Sequence, residues 1–315
     1  MTSKADIVIV NWNSGSLLAE CLESILRYPE RVGKVVIVDN GSTDGSAQVT
    51  GPKDMLIIER LEDNVGFARG CNIGAGLTNS PYVLFLNPDT KFLDDRSLPK
   101  LLDFLDSDAA RNIGIAGIRL VDETGKTQRS CANFTNIWTF IGQPFGLDKL
   151  LPSIFTPLFA DFDYMESRDV DQAIGAYFVV RNEVFKSLNG FDEQFFVYWE
   201  EVDFCLRAIK IGWKTHYFSN SVAYHKGGGT SENVKAKRLF YQLRSRILYS
   251  FKHFGIFKAL IVLLMSSIFE PASRILWLML NGSVNDIRNT LSGYKMFWIE
   301  VPRILKKIYL NRLEQ

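Results

Sequence analysis

Short apolar runs alternate with segments of helical spacing through the first 120 residues. ADIVIV (5–10) is short and β-branched, as strands are. Leu17, Leu18, Cys21, Leu22, Ile25 and Leu26 then recur at helical spacing across 14–27. KVVIVD (34–39), MLIIE (55–59) and YVLFL (82–86) predict three more strands. A short helix over 42–48, with Ser42 or Thr43 as N-cap, and a small-residue helix over 66–77 fill the gaps. This βαβαβαβ order predicts parallel strands joined by crossovers. Such sheets bind ligands outside the carboxyl ends of their strands. Asn11, Asp39 and Asp89 stand at those ends.

The pattern loosens between about 113 and 230. IGIAGIRLV (113–121), AYFVVR (176–181) and KTHYFS (214–219) predict strands, and 200–211 predicts a helix. Between them, 131–168 reads as a long aromatic-rich connection, and a connection of that length is usually functional or mobile. Beyond 232 the chain becomes helical, apolar and basic. Residues 233–269 hold seven Lys or Arg and no Asp or Glu. Within 233–254 an apolar stripe runs through Val234, Leu239, Phe240, Leu243, Ile247, Leu248, Phe251 and Phe254. A basic amphipathic helix of this kind seeks membrane surfaces. The uncharged run 259–269 ends at Glu270-Pro271 and is too short to span a bilayer. The alternatives are a helical subdomain packed on the rest of the protein, or the interface of a homo-oligomer.

Composition narrows the class. A chain of 315 residues that is 47% hydrophobic and 23% charged reads as folded. The net charge of +1 makes no case for nucleic acid, and no such partner is expected. Cys21, Cys71, Cys131 and Cys205 are scattered, with no C-x-x-C pair, which fits a reducing cytosol better than a zinc or redox site. The amino-terminal apolar stretch is too short for a signal peptide.

Several short stretches carry candidate chemistry. VDNGSTDGS puts Asp39 after a strand, where a carboxylate can meet a base N–H or a ribose hydroxyl; a capped turn explains it as well. NVGFARGCNIGAG (64–76) has closely spaced glycines that let backbone approach a phosphate, with Arg69 as a cation, although small residues on a helix also mean close packing. It lacks the G-x-G-x-x-G fingerprint after the first strand, which argues against a nicotinamide dehydrogenase. In LFLNPDT the apolar strand stops at Asn87-Pro88-Asp89, which is a turn, a site, or both. FFVYWEEVDFCLR sets Glu200, Glu201 and Asp203 among aromatic residues, where desolvation raises a carboxyl pKa and suits general base work. His225, after a strand and before three glycines, is a candidate metal ligand.

Together these stretches, in this order, resemble the inverting family 2 glycosyltransferases, and in pattern the bacterial rhamnosyltransferases of O-antigen and capsule synthesis. The resemblance covers roughly 5–230 and rests on VNWNSGSLLAECLESI, VDNGSTDGS, NVGFARGCNIG, LFLNPDT and GFDEQFFVYWEEVDFCLR. It implies a GT-A fold: a Rossmann-like, mostly parallel α/β sheet flanked by helices over 1–230, with a nucleotide-sugar half (1–120) and an acceptor half (121–230). A helical extension over 231–315 follows.

The resemblance also implies roles. Asp89 would bind Mg²⁺ or Mn²⁺, in a variant of the family's Asp-x-Asp motif in which Asn87 replaces the first acid. His225 would complete the metal shell. Asp39 would contact the base, and Asn11, Asn13, Gly66 and Arg69 would hold the nucleotide and its phosphates. Glu201 would be the catalytic base, where the family usually has Asp; its extra methylene leaves Glu200 or Asp203 able to take part instead, with Asp203 otherwise orienting its neighbours or binding acceptor hydroxyls. The implied donor is a dTDP- or UDP-sugar, with dTDP-rhamnose foremost. The implied acceptor is an oligosaccharide on a polyprenyl diphosphate, met by an enzyme peripheral to the cytoplasmic face of the plasma membrane. The competing reading is a non-catalytic nucleotide-sugar-binding or scaffold subunit, which Asn87 and Glu201 keep open.

Overall fold

A computed structural model describes residues 2–159, 162–228 and 234–313. The chain forms two compact units. One comprises 1–134, 161–193 and 200–230; the other gathers 135–160, 194–199 and 231–315.

The first unit is built on one large sheet. Strands β1 (Ala5–Asn11), β2 (Val32–Asn40), β3 (Leu56–Leu61) and β4 (Tyr82–Leu86) run parallel in the order β3-β2-β1-β4. Both faces of β1 and β4 are buried, and so residues 7–10 and Tyr82–Leu86 are continuous apolar runs. Beyond β4 the sheet continues through β10 (Tyr177–Arg181), β6 (Ile113–Val121), β11 (Lys214–His225) and β5 (Thr90–Phe92). Here the parallel pattern breaks, because β10 runs antiparallel to both β4 and β6. Strand β8 (Arg168–Val170) flanks β11, β7 (Cys131–Ala132) and β9 (Gln172–Ala173) form a separate pair, and α7 (Asn182–Ser187) follows β10. Helices α1 (Leu17–Arg27) and α3 (Ser97–Asp106) contribute Cys21, Leu22, Leu98 and Leu101 to the core on one face. Helices α2 (Phe67–Gly76) and α8 (Glu200–Lys210) contribute Ala68, Cys71, Phe204 and Cys205 to the core on the other. The chain leaves β1 toward β2 on one side, while β4 flanks β1 on the other. That reversal opens a crevice at the carboxyl ends of β1 and β4.

Three expectations from the pattern are corrected. No helix forms over 42–48; those residues make a run of bends and turns. Asp39 and Asp44 accept the backbone N–H groups of Ser42, Gly15 and Ser46, and Gly41 and Gly45 take left-handed backbone, so the chain turns where a helix would continue. Residues 131–168 are not one open connection either. They include α4 (Ile137–Gly142), α5 (Leu147–Leu150) and α6 (Pro152–Phe155), with Asn136 capping α4 through Trp138 and Thr139 N–H. Finally, the helix that contains the uncharged run 259–269 does not stop at Glu270-Pro271 and is long enough to cross a bilayer.

That last point shapes the second unit. Helix α10 (Ile256–Leu264) passes through a π-turn at Met265–Phe269 into α11 (Glu270–Asn281). Pro271 lies inside this continuous helix and lacks an N–H; the π-turn directly before it re-spaces the hydrogen-bond ladder, and the Ser267 carbonyl accepts from Trp298 Nε1 at 3.1 Å instead. The result, Ile256–Asn281, is the one helix among the described residues long and apolar enough to cross a membrane, with mean hydropathy 1.6 over its most apolar window. Helix α9 (Lys235–His253) packs against α10 and against α12 (Val284–Leu313). Its stripe of Leu239, Leu243, Ile247, Leu248 and Phe251 is buried inside this unit. The stripe expected to face a membrane is thus spent on packing. Arg244 donates to the Gln194 carbonyl at 2.9 Å, and Arg246 pairs with Glu270, itself held by Arg274 at 3.0 Å.

Candidate active site

The turn after β4 is the centre of the site. Thr90 N–H donates to Asn87 O at 3.1 Å, which closes a tight turn over Asn87-Pro88-Asp89-Thr90. The turn leads into β5, which pairs antiparallel with the end of β11 and sets Thr90 opposite His225. Asp89 O also accepts from Lys226 N–H at 3.1 Å. Turn and site are therefore one feature: the turn aims the Asp89 carboxylate at the terminus of β11. His225 Nε2 lies 3.5 Å from Asp89 Oδ1, and both residues are buried. Burial lowers the His225 pKa, and the Asp89 charge opposes that shift in part.

This pair suits a divalent cation. Two donor atoms on one octahedral ion at about 2.1 Å lie roughly 3 Å apart. A carboxylate oxygen and an imidazole nitrogen at 3.5 Å need only small movement to share one. No cluster of three or more His, Cys, Asp or Glu forms a metal cage among the described residues, so a cation here would take its remaining ligands from elsewhere. A nucleoside diphosphate and water are the natural source.

The neighbouring strand ends hold the other predicted residues. Asn11 and Asp39 are register partners on β1 and β2. Asn11 is fully buried, and its amide nitrogen donates to Ser42 Oγ (3.0 Å), Ser46 Oγ (2.9 Å) and, more weakly, Asp39 Oδ1 (3.4 Å). Asn13 has left-handed backbone; its side chain accepts from Thr43 N–H, and its own N–H donates to Ser42 Oγ. Both asparagines thereby brace the turn that carries Asp39. The bonds made by Asp39 go to Oδ1, from Ser42 N–H and Asn11.

Gly66 precedes α2 with φ +95°, and its N–H donates to Asn64 Oδ1. Gly70 and Gly74 of that stretch serve packing. A Cβ on Gly74 would lie 2.4 Å from Val8 Cγ1, and one on Gly70 2.9 Å from Val10 Cγ1, so small residues let α2 lie close on β1. Arg69 points outward from α2, more than half exposed, with Glu193 3.9 Å away.

The three acids of α8 divide sharply. Glu200 is buried and its pKa is pushed well up, first by desolvation and then by the charge of Glu201. Both carboxylates lie near enough to α2 to raise the Cys71 thiol as well. Asp203 is wholly buried and accepts from Arg207 Nε at 2.7 Å; Arg207 in turn donates to the carbonyls of Leu188 and Gly190. Asn72 of α2 pins the same loop by a two-way bond with the Phe191 backbone. Asp203 and Arg207 thus anchor the Gly190-Phe191-Asp192-Glu193 loop between α2 and α8.

One residue at the site carries no signal in the sequence. Gln128 bonds to His225 twice, from 97 residues away. No motif surrounds it, and only the pairing of β6 with β11 brings it there.

The family model of Glycosyl transferase family 2 matches residues 6–190. Two relatives align over most of their length. One is an N-acetylglucosaminyl-diphospho-decaprenol L-rhamnosyltransferase of Mycobacterium tuberculosis, 26% identical over 82% of this chain and 88% of that protein. The other is the rhamnosyltransferase WbbL of Escherichia coli, 24% identical over 77% of this chain and 91% of that one. Among solved structures, the mannosyltransferase PcManGT of Pyrobaculum calidifontis, in complex with GDP-Man and Mn²⁺, superimposes with a TM-score of 0.56 at 15% identity. It covers 99% of this chain and 88% of its own, a likeness of fold.

Proposed function

The chain belongs to glycosyl transferase family 2, and from that premise we propose that it moves rhamnose, with inversion, from dTDP-rhamnose to a saccharide carried on a polyprenyl diphosphate. A UDP-sugar is the second candidate donor. The observation that carries the proposal is the Asp89–His225 pair at 3.5 Å, on adjoining strand ends beside Asp39 and Asn11. The two rhamnosyltransferase relatives support the choice of sugar, and the decaprenol diphosphate in the name of one supports the acceptor.

The roles follow from chemistry. Asp39 takes the base through its carboxylate, on a turn braced by Asn11 and Asn13. Asp89 and His225 would hold Mn²⁺ or Mg²⁺, and the cation when bound would supply charge neutralisation for the departing diphosphate. Arg69, exposed on α2, adds a cation for the same phosphates. Glu201 accepts the proton of the acceptor hydroxyl as that oxygen forms its bond to the anomeric carbon and the bond to the diphosphate oxygen breaks. Glu200 lies beside it with its pKa raised by burial and by the Glu201 charge, which favours its protonated form. Asp203 positions the loop and takes no proton.

The second unit is read as the membrane contact, on the cytoplasmic leaflet. Along Ile256–Asn281 the outward positions Ile256, Phe257, Leu260, Leu264, Ile268, Leu276, Trp277 and Leu280 are apolar and exposed. Between 234 and 313 there are fourteen Lys or Arg against three Asp or Glu, which complements an anionic surface. The helix, about 39 Å long, has its other face packed on α9, with the Glu270–Arg246 pair beneath it. Lying in one leaflet keeps that pair out of hydrocarbon, whereas spanning would not.

Nucleotide release from a panel of dTDP-, UDP- and GDP-sugars, with and without Mn²⁺ or Mg²⁺, tests the transfer. Turnover of dTDP-rhamnose with polyprenyl-diphosphate-linked acceptor is expected. Binding of nucleotide sugar without turnover on any acceptor would favour the scaffold reading. Phe257→Glu with Leu264→Glu is expected to abolish sedimentation with anionic vesicles. Unchanged sedimentation, or a change of oligomeric state in its place, would assign the face to another protein surface.

A further inference from the structure

We propose that Gln128 is a positioning residue that fixes the His225 tautomer, so that Nε2 presents a lone pair to the cation site shared with Asp89. The tautomer stands on hydrogen bonds alone; the cation part rests on Asp89 and His225 being its ligands.

Two bonds carry the inference. Gln128 Nε2 donates to the His225 backbone oxygen at 2.8 Å, and Gln128 Oε1 faces His225 Nδ1 at 3.0 Å. A glutamine amide can be placed either way round, so chemistry has to orient it. Here a backbone carbonyl does so, because that oxygen only accepts. The amide nitrogen must face it, which leaves the amide oxygen for Nδ1. An oxygen acceptor there requires a proton on Nδ1. A neutral imidazole protonated on Nδ1 has its lone pair on Nε2, the atom that faces Asp89 Oδ1.

The alternative tautomer would be harmful. With Nδ1 unengaged, His225 would gain by donating Nε2–H to the Asp89 carboxylate, and a proton would occupy the place of the cation. Gln128 removes that option for the neutral ring, which has a single N–H to give. Its own placement is rigid: its N–H donates to Leu120 O at 2.8 Å, and a hairpin closed by Asp122 N–H to Lys126 O folds it back along β6. Strand β6 pairs with β11 up to Val121 opposite Tyr224, one residue before His225. Partners of this kind on a ligating histidine are worth about 10- to 100-fold in metal affinity.

Long-range ¹H–¹⁵N NMR of the metal-free, nucleotide-free full chain, labelled at histidine, reads the tautomer directly. His225, assigned by the signal lost in His225→Gln, is expected with its proton on Nδ1. A proton on Nε2 in the wild type overturns the proposal, whatever the enzyme turns over. Gln128→Met removes the acceptor at similar volume. It is expected to move the proton to Nε2 and to weaken Mn²⁺ binding, in the presence of dTDP, by about 10- to 100-fold, read from the free-Mn²⁺ EPR signal. Gln128→Glu keeps an oxygen opposite Nδ1 and is expected to retain the Nδ1 proton. Should Gln128→Met fail to fold, the wild-type spectrum and the Glu variant still decide. Unchanged Mn²⁺ affinity in a folded Gln128→Met, or Nε2–H in Gln128→Glu, overturns the positioning role. A wild type that holds Nδ1–H but binds no Mn²⁺ with dTDP overturns the cation part alone.

Discussion

The first unit buries polar side chains, and the second exposes apolar ones. In the first, Asn11, Asp39, Asp89, Glu200, Asp203 and His225 are all buried among or at the ends of apolar strands and helices. In the second, Phe257 and Leu280 are 77% and 78% exposed, along a helix whose other face is packed. Folding alone rewards neither arrangement, since it favours apolar groups inside and polar groups in water. On the function proposed above, the polar groups of the first unit serve a charged ligand that needs oriented donors, and the apolar face of the second unit serves an apolar phase. Even the buried ion pairs follow this division. Asp203–Arg207 anchors a loop beside the acids of α8, while Glu270 with Arg246 and Arg274 ties α9 to α11.

The largest test of the comparison is Asp89→Ala. Asp89 is the sole carboxylate of the strand-end turn, and its removal is expected to take metal-dependent turnover below detection while the melting temperature stays near that of the wild type. Near-normal turnover at limiting Mn²⁺ would remove Asp89 from the metal site. Next is Glu201→Gln, expected to lower kcat by roughly two to four orders of magnitude with little change in donor binding. If Glu201→Gln turns over normally while Asp203→Asn is folded and dead, the base has been assigned to the wrong acid.

Asp203→Asn should act on stability instead. It leaves the Arg207 guanidinium without its buried counter-charge, a loss of about 3 kcal/mol, visible as a shifted denaturation midpoint for the first unit. Activity per folded molecule should largely survive at low temperature. A variant as stable as the wild type would break the assignment of Asp203 to anchoring.

The smallest effects are the most discriminating, because two buried glutamates should titrate in opposite senses. Burial alone would raise Glu270, but Arg246 and Arg274 outweigh it and hold its pKa below the ordinary 4.5. Its contribution is therefore present above pH 4.5 and is lost as pH falls through the lower folded value. Glu270→Gln should destabilise the second unit at pH 7 and matter little in strong acid. Glu200 has its pKa raised by desolvation and by Glu201. Its folded form holds a proton that the unfolded chain releases above about pH 4.5, so stability falls as pH rises from there. Glu200→Gln should raise the melting temperature at pH 7, with the gain vanishing near pH 4. A gain that persists at pH 4, or a loss at pH 7, would show that Glu200 is ionised in the folded protein.

The sequence by itself determined the strands, their parallel order from β1 to β4, and the family. Those features are local: a β-branched run of five or six residues is legible wherever it stands, and motifs at strand ends need no partner to be seen. The turn at Asn87-Pro88-Asp89 was legible because it stops a buried apolar strand abruptly, whereas its nearness to His225 was not. What lay outside reach depended on which distant residues meet. The 42–48 segment stands where a crossover helix is expected and opens with cap residues, yet Asp39, Asp44 and Asn13 take its backbone N–H groups and turn it. The glycines of α2 read as phosphate-binding or as packing, and only the closeness of Val8 and Val10 decided for packing at Gly70 and Gly74. The stripe of α9 had the period of a membrane-seeking helix, but its period could not say which apolar surface it meets; α10 and α12 cover it, and the exposed face passes to α10 and α11. Gln128 is the clearest case. A glutamine in a polar hairpin has no local signature, and its meaning arises because sheet register sets it against an imidazole 97 residues away, where two hydrogen bonds orient a ring that the sequence leaves free to turn.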